Sequence, residues 1–194
     1  IGVTFDWYKR ITSDMLSPGE TIPSTVGASA PRRNYGELTT NGVEIAVDYN
    51  HTFNNGLHII LSGQFTDFKT VVTKYPSAND PSNSAAYYKN KVLGEIWGYK
   101  TEGLFQEKDF VWENGVIKQT TLPNGQQKNT MAEKVANQYI LESGLFKYGP
   151  GDVKFKDLDG NGEINYGSNT VGDPGDRTVI GNTTPRYQYG FRVD

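Results

Sequence analysis

The chain has 194 residues, enough for one ordinary domain or for part of something larger, and Lys+Arg 19 against Asp+Glu 22 leaves a net charge of -3 with no basic block. That balance argues against a nucleic-acid partner, and Cys 0 removes disulfides, thiolate nucleophiles and cysteine metal sites together. A hydrophobic share of 36%, with Gly 22, Pro 9 and Tyr 12, supplies turn formers and strand-favouring aromatics without long apolar runs, so the chain reads as all-β. No segment approaches the ~18 consecutive apolar residues of a membrane helix, and no basic-then-apolar leader opens the chain. A membrane β-barrel stays open, because its strands alternate and keep the average low; the mean hydropathy here is -0.59.

From Val3 to Thr12 the odd positions Val3, Phe5, Trp7, Lys9 and Ile11 alternate with Thr4, Asp6, Tyr8, Arg10 and Thr12, which predicts a strand with one apolar face. The pattern returns from Val43 to Phe53 on Val43, Ile45, Val47, Tyr49 and Phe53. It resumes after Asn54-Asn55-Gly56 on Leu57, Ile59, Leu61 and Phe65. Asn-Gly between alternating segments predicts a hairpin. A fourth segment carries Tyr187, Tyr189, Phe191 and Val193 against Arg186, Gln188 and Arg192.

Periodicity alone fits a soluble sandwich. Two features point instead to a transmembrane antiparallel barrel. The alternating runs reach the ~10 residues that a tilted membrane strand needs. The connections are also lopsided, with a tight turn at Asn54 to Gly56 but loops from about Ser13 to Gly36 and from about Lys69 to Pro185. The expected division is therefore 1–68 (strands, one extracellular loop and a periplasmic turn), 69–185 (a structured extracellular loop) and 186–194 (the start of the next strand).

A loop of that length should carry structure of its own. Thr130 to Glu133 has capping-box spacing, and Met131, Val135 and Tyr139 recur every four residues, which predicts a short helix from about Met131 to Glu142. Asn114-Gly115 and Asn124-Gly125 predict small hairpins.

Asp157-Leu158-Asp159-Gly160-Asn161-Gly162-Glu163-Ile164-Asn165 matches the first nine places of a calcium loop. Asp157, Asp159 and Asn161 would offer side-chain oxygens and Glu163 its backbone carbonyl, with Asn165 following. Ser168 stands where the bidentate Glu of a full loop belongs, so Asp173 or Asp176 would have to complete the shell around Ca2+. The alternative is an Asp/Asn/Gly turn that holds no metal. His51 and His58 flank the hairpin turn and fit a polar membrane rim. No nucleophile elbow, phosphate loop or dinucleotide fingerprint appears, so no enzyme is expected.

Three segments resemble, in order, the SusC/RagA family of TonB-linked outer-membrane proteins. Trp97-Gly98-Tyr99-Lys100-Thr101-Glu102-Gly103-Leu104-Phe105-Gln106 is similar to the family's Gly-Tyr-x-x-x-Gly-[Leu/Ile]-Phe-Gln. Gly149-Pro150-Gly151-Asp152 running into the Asp157 loop resembles its Pro-Gly-Asp segment. Asp176-Arg177-Thr178-Val179-Ile180-Gly181-Asn182 with Pro185-Arg186-Tyr187 resembles its Asp-Arg-x-x-Ile-Gly-Asn-x-x-Pro-x-Tyr run, and Phe5-Asp6-Trp7-Tyr8 and Gly42-Val43-Glu44 add weaker matches.

The resemblance implies the carboxy-terminal part of a TonB-dependent barrel embedded in outer-membrane lipid. It implies import of an oligosaccharide or peptide, a SusD-like lipoprotein as lid, and TonB engaged through regions outside this chain. The loop aromatics Trp97, Tyr99, Phe105 and Trp112 are then expected to touch substrate or lid, packing inside the loop being the other role open to each. The rival reading is a soluble extracellular β-sandwich that binds carbohydrate with calcium and aromatics.

Overall fold

A computed structural model describes residues 1–19, 25, 27–28 and 31–194. The described residues hold strands, turns and two one-turn 3-10 helices. Contacts divide them into two units. One holds residues 1–79, 85–96 and 181–194, and the other holds 80–84 and 97–180. The loop unit is thus narrower than the span 69–185, and the residues on either side of it belong with the long strands.

In the first unit β1 (Gly2–Ser17), β2 (Arg33–Thr52), β3 (His58–Lys74) and β12 (Tyr187–Val193) form one antiparallel sheet in the order β1-β2-β3-β12. The strands outrun the periodic segments, so the first connection shortens to the residues between Ser17 and Arg33, several of which lie outside the described residues. The tight turn forms as predicted. Thr52 faces His58, Phe53 N–H donates to Leu57 O at 2.8 Å, and Gly56 takes φ +84, which a side chain would resist.

Register decides which face each side chain joins. Phe5 faces Ile45, Ile45 faces Phe65 and Phe65 faces Tyr189; Val3, Val47, Gly63 and Phe191 make the next row, and Tyr49, Leu61 and Val193 the one after. Trp7, Val43, Asp67 and Tyr187 form a row on the other side, and beyond it the same face turns polar at Lys9, Asn41 and Lys69. Since residues opposite one another in a ladder share a face, the apolar positions of all four strands lie together. The opposite face carries Thr4, Ala46 and Gln64, then Asp6, Glu44, Thr66 and Gln188.

Among the described residues no second sheet covers the apolar face: Trp7 is 64% exposed, Tyr189 80% and Phe191 83%. Asp67, at the border of that face, is held by both Arg186 Nε (2.7 Å) and Nη2 (3.0 Å). The ring of Tyr8 lies over Gly42, where a Cβ would fall 2.3 Å from Tyr8 Cζ, so the glycine makes room for an aromatic across the ladder. Above β12, residues 90–93 take over the edge of β3, with Val72 N–H donating to Lys91 O and Leu93 N–H to Thr70 O, both 2.9 Å. Within the described residues the sheet is open, with β1 and β12 at its edges.

The second unit is built from short ladders. β5 (Thr101–Leu104) pairs with β10 (Val153–Phe155), β6 (Trp112–Glu113) with β7 (Val116–Ile117), and β8 (Gln119–Thr121) with β9 (Gln127–Asn129). β4 (Glu95–Tyr99) pairs with β11 (Arg177–Asn182), of which Trp97–Tyr99 and Arg177–Ile180 fall in this unit. Both predicted Asn-Gly hairpins are present. The unit's core is Phe105, Phe110 and Tyr148, packed by Ile117, Met131, Val135 and Leu141, with ring centroids 5.2 and 5.9 Å from Phe105.

The helix expected from about Met131 to Glu142 does not form. Met131 bridges to Phe110, Lys134 takes φ +71, and Asn137 pairs in parallel with Glu163; only Tyr139–Leu141 winds into a single 3-10 turn. The four-residue apolar spacing is real, but it serves the aromatic core through a bent chain. Backbone groups that a helix would pair internally bond outward instead, as in Asn137 N–H to Gly162 O (3.0 Å) and Ile164 N–H to Asn137 O (2.7 Å).

Candidate functional site

The Asp157 loop is held by its own side chains. Asp157 accepts the N–H groups of Gly160 (2.6 Å) and Gly162 (2.8 Å), Asp159 accepts that of Asn161 (3.0 Å), and Asn161 Oδ1 accepts that of Glu163 (2.7 Å). Alternate side chains therefore turn inward, and Gly160 and Gly162 sit at φ +76 and +84 so that the chain can curl around them. Burial opposes the charge on Asp157, but the N–H groups of Gly162 and Gly160, with help from Asp159, outweigh it and hold the carboxyl below its ordinary range.

Of the two carboxylates that could complete the shell, the structure brings in Asp176. It is fully buried, and its two oxygens accept Leu158 N–H (2.7 Å) and Asn165 N–H (2.8 Å), one on each side of the loop. Oxygens of Asp157, Asp159 and Asp176 lie within 4.8 Å of one another, the spread that a central calcium with ~2.4 Å bonds would span. Asp173 turns away. Its Oδ2 takes the Ser168 hydroxyl (2.6 Å) and N–H (2.9 Å), and that hydroxyl is the first cause of its lowered pKa. Asn165 sits outside the triad, its Oδ1 accepting Gly167 N–H at 2.7 Å, and the side chain of Glu163 approaches Asn137 at 3.3 Å. A carboxylate offers about four lone-pair sites, so one backbone hydrogen bond per oxygen still leaves Asp157 and Asp176 able to ligate.

The three motifs that are distant in sequence meet here. Phe105 N–H donates to Asp152 O (2.9 Å) and Gly151 N–H to Phe105 O (2.8 Å), which ties the first motif to the second and continues the β5–β10 ladder. Asp176, from the third, clamps the loop that ends the second. Ile180 lies over Gly98 of the first, where a Cβ would fall 2.5 Å from its Cδ1.

The predicted aromatics separate. Phe105 is 1% exposed at the centre of the unit's core, so its expected contact with substrate or lid is corrected to a packing role: the ladder to β10 turns its ring inward. Tyr99 is half-buried against Phe155 (5.4 Å), and burial pushes its hydroxyl above the ordinary tyrosine range. Trp97 is also half-buried. Trp112 is exposed, and its Nε1 donates to Glu107 O at 2.8 Å, which fixes the ring while leaving a face open. His51 lies between Tyr49 (6.1 Å) and Phe53 (4.4 Å) along β2, and His58 Nδ1 meets Thr52 Oγ1 at 2.8 Å beside the turn.

Sequence reasoning missed Gln138. It is completely buried, its Oε1 accepts Phe155 N–H (2.8 Å) and its Nε2 donates to Val153 O (3.0 Å), so one side chain extends the β10 ladder as a strand would. A lone polar residue among Val135, Tyr139 and Leu141 gave no signal for that role. Nor was the buried ion pair of Lys128 and Glu142 (2.7 Å) legible, because the two residues are neutralised only by the fold.

The likeness of this chain is to the TonB-dependent receptors. Among curated proteins it is similar to TonB-dependent receptor P3 of Formosa agariphila, 24% identical over 203 residues, covering 99% of this chain and 17% of that protein. Among solved structures it is similar to the RagAB peptide transporter at 16% identity and TM-score 0.48, over 98% of this chain and 16% of the other. The RagAB peptide importer in a closed-closed state aligns at 18% identity and TM-score 0.41 over 68% of this chain. No family model matches. The chain thus spans about a sixth of the length of the proteins it resembles.

Proposed function

We propose that the long strands form part of the wall of an outer-membrane β-barrel importer, with the apolar face toward lipid and the Thr4, Asp6 and Glu44 face toward the lumen. The observation that carries this is the shared register of the apolar rows. They run from the Trp7 and Tyr187 row to Tyr49 and Phe53, ten residue steps from Val43 in β2 to Phe53 just past its end. That is about 33 Å of strand, or about 25 Å of height at a tilt near 40°, the apolar band of an outer-membrane barrel. Aromatics at both ends of the band, Trp7 and Tyr187 against Tyr49 and Phe53, suit the two interfaces. In the full-length protein, Ile45→Arg should cost folding into lipid roughly 2–4 kcal/mol, against far less for Asp48→Asn on the other face. Equal costs for the two would remove the membrane reading.

The imported cargo is a glycan or a peptide, gathered under a SusD-like lipoprotein and driven by TonB through regions outside this chain. What supports this is the likeness to a TonB-dependent receptor together with the pre-oriented ring of Trp112, which offers stacking surface without further ordering cost. No bond-making step is assigned to any residue.

Calcium held by Asp157, Asp159 and Asp176, with Asn161 and the Glu163 carbonyl, would act as structure, with an affinity in the weak range of roughly 10⁻⁴ to 10⁻³ M. Asp159→Ala should then loosen residues 150–182 to hydrogen exchange in millimolar calcium. Unchanged protection with calcium and with chelator would leave a turn that needs no metal.

A further inference from the structure

Five glycines follow asparagine in this sequence, at Asn41-Gly42, Asn55-Gly56, Asn114-Gly115, Asn124-Gly125 and Asn161-Gly162. Each pair can undergo the same chemistry. The glycine N attacks the asparagine Cγ, ammonia leaves, a succinimide ring closes, and water reopens it to aspartate or isoaspartate. The step needs a free glycine N–H and an asparagine amide that can swing toward it.

Four of the five pairs are locked. Gly42 lies within the ladder between β1 and β3, under the ring of Tyr8. Gly56 N–H donates to Phe53 O (3.0 Å) while Asn55 Oδ1 accepts Leu57 N–H (3.1 Å). Gly125 N–H donates to Leu122 O (2.8 Å) while Asn124 Oδ1 accepts Gln126 N–H (3.0 Å). Gly162 N–H donates to Asp157 (2.8 Å), and Asn161 is held at both ends of its amide, by Glu163 N–H (2.7 Å) and by Asp159 (2.9 Å).

Asn114-Gly115 differs on both counts. Among the described residues neither the Asn114 amide nor Gly115 N–H has a partner, and both residues are exposed. Their φ values of 51 and 78 make the two-residue turn of a short hairpin, held by the pairs Trp112 with Ile117 and Glu113 with Val116 and, beyond them, by Lys118 N–H to Val111 O (2.8 Å) and the exposed Lys118–Glu113 ion pair (2.7 Å). So short a ladder opens readily, and opening lets the chain reach the geometry of attack.

We propose that Asn114 is the spontaneous deamidation site of this protein, converting ahead of the other four asparagines to a mixture of aspartate and isoaspartate. Isoaspartate adds a methylene to the backbone at the turn, which breaks the two-residue connection that β6 and β7 need. Trp112 then loses its fixed setting. Deamidation also places a carboxylate beside Glu113, whose only described ion pair is with Lys118 at 2.7 Å.

The test is peptide mapping by mass spectrometry, with enzymatic methyl labelling of isoaspartate, on the full-length protein in detergent after incubation at mildly alkaline pH. A second sample is incubated in denaturant. Folded protein should gain isoaspartate at Asn114 several-fold faster than at Asn41, Asn55, Asn124 or Asn161. Denatured protein should lose that contrast, since glycine follows in every case. Asn114→Gln, whose longer side chain closes the ring poorly, should abolish the fast conversion and leave the slow positions unchanged. Fastest conversion at any other pair, or the same ranking folded and denatured, would overturn the proposal.

Discussion

The long-stranded sheet and the loop unit reach order by opposite means. The sheet has almost no interior. Val72, Thr39, Thr40, Ser17, Gly36 and Gly42 are its buried positions along the strands, while the apolar rows stay open on one side and Asp6, Glu44 and Gln188 on the other. What fixes it is the ladder, in which a slip of one residue would carry every apolar side chain to the polar face. The loop unit has little ladder, since none of its hairpins exceeds three paired residues on a strand. It is ordered by a small aromatic centre and by buried polar groups that reach the backbone, namely Gln138, Asp176 and the Lys128–Glu142 pair. A long chain excursion can thus hold a fixed shape with little regular secondary structure, through a small core and side chains that bond the backbone.

The largest expected effect tests the centre of the loop unit. Phe105→Ala removes the ring on which Phe110 and Tyr148 pack and should cost about 3–5 kcal/mol. Hydrogen exchange should rise across residues 97–180 and stay low along β2 and β3. A uniform rise in both units would mean that they fold as one. Next comes the sheet, where Ile45→Arg, at roughly 2–4 kcal/mol, should act only in lipid. In detergent micelles that adapt to the charge, the same variant should lose much of its penalty.

A third comparison concerns the polar clamps. Gln138→Leu fills nearly the same volume but strands Phe155 N–H and Val153 C=O in a buried site, so it should cost about 1–3 kcal/mol. A thermal melt of the variant checks this, and Gln138→Glu, which keeps one acceptor for Phe155, should fall between it and the wild type. A neutral Gln138→Leu would show that the aromatic centre suffices.

Acid should loosen the Asp157 loop more gently. Asp157 and Asp173 have folded pKa values below the ordinary 3.8, so they stabilise the folded loop above that value and the contribution fades as pH falls through their lowered values. Exchange of residues 157–176 should therefore rise below about pH 4. The smallest effect on stability belongs to Trp112→Ala. Its ring is exposed, so the change should stay within about 0.5 kcal/mol, while cargo binding measured on the full-length protein should weaken. Unchanged binding would move the contact surface elsewhere.

The sequence by itself determined the four strands, the faces they present and the three tight Asn-Gly turns. Those features are local: alternation has a period of two whatever the rest of the molecule does, and positive φ at Gly56, Gly115 and Gly125 belongs to the turn itself. It also marked the Asp157 loop, since its side chains bond backbone groups only two to five residues away. Tertiary structure decided what depends on distant partners. Phe105 and Trp112 are both aromatic residues in the loop, and only the fold turned one inward and left the other exposed. The spacing of Met131, Val135 and Tyr139 was that of a helix, yet Phe110 and Glu163 offered better partners to that stretch than its own backbone did. Asp173 and Asp176 both stand shortly after the loop in sequence. Asp176 is drawn in because its carboxylate is held between Leu158 and Asn165, while a serine hydroxyl draws Asp173 away.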